Sequence, residues 1–199
     1  MGARQARTSV ASRVTYLLEP KNWLIVTVIG VGARTDGLAG VGWGLLAAFF
    51  TGVLPTLFIS YGIRHGRWDD RNVGARGPRL IVLAFITTSV AAGLIVLIVA
   101  GAPRLLTGYL AFMLASVAVL AAITIAWKIS IHCAVASGSV AILAFIYGPF
   151  VLAGYLLVAL LGWSRVALKD HTVAQVVGGT ILGALASVLA YAVLGGTMR

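Results

Sequence analysis

Charge is what this chain has least of. Only 10% of its 199 residues are charged, and five are acidic; a soluble domain of this size carries about a quarter charged residues. A soluble globular domain is excluded on that ground. A single cysteine, Cys133, excludes an intramolecular disulfide and a cysteine-based metal site. The two-residue alternation of a membrane barrel is also missing, because the apolar runs are continuous. No soluble basic module is present to carry nucleic acid. Arg4, Arg7 and Arg13 resemble the basic start of a secretory leader, but Glu19-Pro20-Lys21 interrupts before any apolar core, so no leader is expected.

What fills the chain is apolar sequence, 60% of the residues. Uncharged runs cover Gly37–Ile63, Leu80–Pro103, Leu105–Trp127, Ile129–Ser164 and Thr172–Met198. A helix needs roughly 20 such residues to cross the hydrocarbon core. The expectation is an all-α, polytopic transmembrane helix bundle in the plasma membrane. Residues 1–20 form a basic, loose or interfacial tail, and residues 21–199 a single transmembrane domain. Asn22–Ala33 is short for a span, so the bundle has six or seven membrane helices. Seven place its polar end at the cytoplasm if the basic tail lies inside; six place that end outside. Gly40 and Gly44, and later Gly179 and Gly183, give small faces for close helix packing. Pro55 predicts a kink.

Polar residues gather in three clusters at the ends of these runs. The first, Arg64–Arg79, contains Arg71, Arg76 and Arg79. It reads either as an ordinary basic loop or as an anion site, because the guanidinium fork suits phosphate oxygens. Asp69-Asp70 reads as a pair for neighbouring arginines rather than a metal site. The second is Lys128-Ile129-Ser130-Ile131-His132, at the start of a helix whose free N–H groups favour an anion. The third holds Ser164, Arg165, Lys169, Asp170, His171 and Gln175. His171 and Gln175 share a helical face at four residues' spacing, so the amide oxygen can orient the imidazole. Ile129–Ser164 is too long for one span and long enough for two short ones. Tyr147-Gly148-Pro149 is the break. A hairpin there returns the chain to the side it left and brings His132 and His171 to one end.

These clusters resemble the type 2 phosphatidic acid phosphatase family, lipid phosphate phosphatases related to vanadium haloperoxidases. The family pattern is Lys-x6-Arg-Pro, then Pro-Ser-Gly-His, then Ser-Arg-x5-His-x3-Asp. The third motif fits as Ser164, Arg165 and His171, with Gln175 at the place of the aspartate. The second fits as Ile129-Ser130-Ile131-His132. The first fits loosely, with Arg79 at the arginine place, Asn72 at the lysine place and Leu80 at the proline place. The match spans about residues 69–180 and marks a small bacterial-type member with glutamine for the last aspartate.

The resemblance implies a phosphatidic acid phosphatase/haloperoxidase-like core and a metal-independent phosphohydrolase without cofactor. His171 is then the nucleophile, forming a phosphohistidine, and His132 the proton donor. Arg165, Ser130, Lys128, Ser164, Arg79, Arg76 and Arg71 hold phosphoryl oxygens, and Gln175 orients His171. The expected partners are a lipid or isoprenoid (di)phosphate and the bilayer; self-association is left open. Gln175 supplies no charge, which keeps two other readings in play. One is a prenyl-diphosphate lyase, cyclase or phosphotransferase using the same anion site, and the other is a non-catalytic membrane protein.

Overall fold

The structure is a computed structural model that describes residues 3–68 and 76–194, with side chains for 8–68 and 77–193. Every regular element among them is helical. They are α1 (Ala3–Leu17), α2 (Pro20–Ala48), a π turn (Phe49–Val53), α3 (Leu54–Arg64), α4 (Arg76–Val99), α5 (Arg104–Ala126), α6 (Ile131–Tyr147), a 3-10 turn (Pro149–Gly154), α7 (Tyr155–Ala167) and α8 (Val173–Leu194). Five helical stretches are long and apolar enough to cross a membrane, and Ile131–Tyr147 is a shorter apolar helix beside them. The chain is a multi-pass helical bundle.

The first of those stretches, residues 8–64, is not one rod. At Asp36 and Gly37 the backbone leaves helical geometry, and Gly37 takes φ 53°, a conformation open mainly to glycine. The chain reverses there. Residues 20–35 then run back along residues 38–52 as an antiparallel hairpin. Gly32 and Gly40 meet backbone to backbone, and a Cβ on Gly44 would lie 2.6 Å from the Ile29 Cα. The uncertain stretch Asn22–Ala33 therefore lies within a helical limb, residues 20–35, about 24 Å long. Gly40 and Gly44 do form a packing face, and their partner is the chain's own preceding limb.

Pro55 leaves its mark upstream of itself. A proline inside a helix cannot donate to the carbonyl four residues back. The strain is taken up by the π turn at Phe49–Val53. Five residues before Pro55, the Phe50 carbonyl accepts from Ser89 Oγ on α4 at 2.6 Å.

The break at Gly148-Pro149 is present, with Gly148 at φ 112°. It folds α6 and α7 into the expected hairpin. Gly179 of α8 lies against the Ser130 carbonyl, and Gly183 against that of Ala134. These contacts bring the parallel helices α6 and α8 close together. The N-terminal tail differs from expectation: it is the helix α1, packed along α7, with Ala11 buried.

Candidate functional site

The turns of the bundle bring described residues of all three polar clusters to one end. Gly37, Gly101 and Gly148 turn the chain at the far end. The 127–130 and 168–172 connections lie at the near end, with the start of α4. Arg79 Nη2 donates to the Ile129 carbonyl at 2.8 Å, joining the first cluster to the second. Ser130 N–H donates to the Gln175 carbonyl at 3.2 Å, joining the second to the third.

The spacing of Ser-Arg-x5-His has a local cause. Helix α7 ends at Ala167 with Leu168 as its cap, and Lys169 then adopts φ 60°. This left-handed residue wraps the chain back on the helix end. The N–H groups of Asp170 and His171 both donate to the Arg165 carbonyl, at 3.1 and 3.3 Å. Asp170 thus meets Arg165, with Oδ2 3.1 Å from Nη2, and does not serve His171. Arg165 is only 2% exposed, so its guanidinium is set into the bundle with this carboxylate beside it.

His171 is oriented by two carbonyl oxygens. Its Nδ1 lies 3.1 Å from Gln175 Oε1 and 3.2 Å from the Lys128 carbonyl. Both neighbours only accept, so Nδ1 carries the proton and Nε2 carries the lone pair. Gln175 is itself fixed. Its Oε1 accepts from the Thr172 N–H at 3.1 Å, while the Gln175 N–H donates to Thr172 Oγ1 at 3.3 Å. This is a capping box at the start of α8, written Thr172-x-x-Gln175. The histidine pKa is pushed down to about 4, first by burial and then by the positive charge of Arg165; the Gln175 hydrogen bond opposes this, and Arg79 and Lys128 add to it. The imidazole is neutral at pH 7.

A cavity of about 230 Å³ begins at Arg79, His132, Arg165 and His171 and continues between the helices. The structure thus gathers four of the sequence-predicted site residues on one wall system, with Gln175 behind His171. Lys128, Ser130 and Ser164 stand apart from it. Lys128 is exposed, but its backbone orients His171 and its charge reaches the imidazole. Ser130 is fully buried as the cap of α6, accepting from Cys133 N–H at 3.5 Å. Ser164 Oγ donates to the Leu161 carbonyl at 2.7 Å. Its one proton is thereby used, so the contact with Thr15 Oγ1 at 2.9 Å has Thr15 as donor. Ser164 ties α1 to α7. Arg71, Asn72, Asp69 and Asp70 lie outside the described residues, as does the side chain of Arg76.

Sequence reasoning missed Glu19 and Lys21, which line the same cavity and pair at 2.6 Å. Nothing in their spacing tied them to the distant motifs. Comparison with known protein families, with curated proteins and with solved structures finds no match to this chain.

Proposed function

We propose that this protein is a membrane phosphatase that hydrolyses a lipid phosphate or isoprenoid (di)phosphate through a phosphohistidine. The observation that carries the reading is the neutral, oriented His171 facing a cavity that also holds His132 and two arginines. An anion is what two guanidiniums sharing one cavity mouth attract. A polar head at the bundle end with an apolar chain between the helices matches the cavity's layout.

In this reading His171 Nε2 attacks phosphorus. The P–N bond forms as the P–O bond to the leaving group breaks. His132 gives its proton to the departing oxygen, then takes one from the water that cleaves the phosphohistidine. Arg165 and Arg79 offset the charge that builds on the phosphoryl oxygens, usually the largest contribution to such catalysis. Asp170 fixes the Arg165 fork. Gln175 holds the His171 ring without adding charge.

The test is inorganic phosphate release by purified protein from a panel of lipid and isoprenoid phosphates, with acid-labile phosphate trapped on the protein. His171→Ala should abolish both release and labelling. No release from any substrate, or equal release by wild type and variant, sinks the proposal. The neutral Gln175 favours one second reading, in which a prenyl diphosphate is bound and ionised. It yields inorganic pyrophosphate and a hydrocarbon or alcohol instead of phosphate.

A further inference from the structure

The inner half of the cavity is not uniformly apolar. Hydroxyl side chains in a buried helix normally donate to a backbone carbonyl. Thr56, Ser116 and Ser187, all lining this cavity, do so, to Gly52, Phe112 and Gly138 at 2.7, 2.8 and 2.7 Å. Thr51 and Ser139 line it too, each 2% exposed, and neither hydroxyl has a hydrogen-bond partner among the described residues. A buried hydroxyl without a partner carries a desolvation cost that a ligand can relieve.

Both stand at one depth. Ala48, one turn from Thr51, and Ile142, one turn from Ser139, belong to the same buried cluster around Tyr109 and Ala190. Thr51 lies inside the π turn, which takes it out of step with the carbonyl four residues back. Apolar neighbours such as Val90 and Ala190 give a resident water too few partners, since it needs about three. Along α6, Ser139 is seven residues from His132, roughly 10 Å.

We propose that Thr51 and Ser139 form a second subsite, which takes the ester carbonyl oxygens of an acylglycerol phosphate; this rests on the phosphatase reading for where the phosphate sits. The reach agrees. Ester carbonyls of such a lipid lie on the order of 7 Å from phosphorus, and a hydrogen bond adds about 3 Å. A polyprenyl chain has no acceptor at that depth and leaves both hydroxyls unmet. The pair therefore selects ester-bearing lipids over isoprenoids and over ether lipids of equal length.

The experiment compares a dioleoyl-ester glycerol phosphate with its dialkyl-ether counterpart, in mixed micelles, for wild type, Ser139→Ala and Thr51→Val. The expected wild-type preference in kcat/KM is roughly tenfold for the ester, falling towards one in each variant. Equal rates on ester and ether by wild type overturn the subsite. So does a preference that survives in both variants. Thermal shift with the same two lipids separates this proposal from the phosphatase reading. If no phosphate is released but the ester stabilises wild type more than the ether does, the subsite stands and the phosphatase reading fails. Equal shifts by both lipids, in a protein that releases no phosphate, overturn the subsite as well.

Discussion

Gln175 Oε1 sits 3.1 Å from His171 Nδ1 and also 3.1 Å from the Thr172 N–H, so one amide oxygen both aims the histidine and caps α8. Gln175→Glu keeps both contacts and places a negative charge beside the ring. The His171 pKa should rise from about 4 by one unit or more, because a neighbouring carboxylate favours the imidazolium. Titration of the imidazole C–H signals by NMR reads this directly. The acid limb of any kcat/KM profile should move up with it. An unmoved titration would show that the side chain at 175 does not govern the ring.

The same histidine makes stability depend on pH. Its folded pKa, about 4, lies below the ordinary 6.5. Between these values the unfolded chain binds a proton that the folded chain refuses, so stability rises with pH across this window. The contribution is full above about 6.5 and is lost as pH falls towards 4. Thermal melts from pH 7.5 to 4.5 should show this slope, and His171→Gln should make it shallower.

The hairpin within α2 depends on two glycines meeting. A Cβ on Gly40 would collide with the Gly32 carbonyl, whereas one on Gly42 would meet nothing within 4 Å. Gly40→Ala should destabilise by about 2 kcal/mol or more, since backbone rather than a flexible side chain must yield. Gly42→Ala should be neutral or add up to about 1 kcal/mol through helix propensity. Melting temperatures in detergent compare the two. Equal effects would show that the limbs are not in contact.

Lys169 is held at φ 60° with a side chain that gains nothing from that conformation. Lys169→Gly should stabilise by about 0.5–1 kcal/mol, because the left-handed conformation costs a residue with a Cβ more than it costs glycine. Chemical denaturation measures it. A loss of stability would mean that the turn is held by the lysine side chain.

Much of the site could be read from the residues, because its parts sit where helices start and stop. Ser130 before His132, and Arg165 ahead of a turn, are end signals that locate a cluster without knowledge of packing. The Thr172-x-x-Gln175 box is equally legible, although the sequence pattern around His171 draws its glutamine first as the ring's partner and as the stand-in for an aspartate. Ser164 shows the opposite case. Its neighbour Arg165 enters the cavity, yet which way the serine points depends on α1, and no sequence pattern linked the tail to α7. The limb 20–35 escaped a firm reading because its length was marginal and its partner is backbone, which carries no side-chain signal. Thr51 and Ser139 are single hydroxyls in apolar runs. Only the missing carbonyl partner distinguishes them from Thr56 or Ser116.

The π turn at Phe49–Val53 also acts as a spacer of helical phase. It places one residue more in its turn than an α-helix would. Removing that residue would close an ordinary α turn and leave the two halves nearly in phase, whereas losing one from the flanking α-helix would rotate one half against the other by about 100°. Gly40 and Gly44 would then face away from the first limb, or else Pro55, Thr56 and Ile59 would leave the cavity wall. The length of the rod on either side of this turn is therefore fixed to the residue, even where its side chains are apolar.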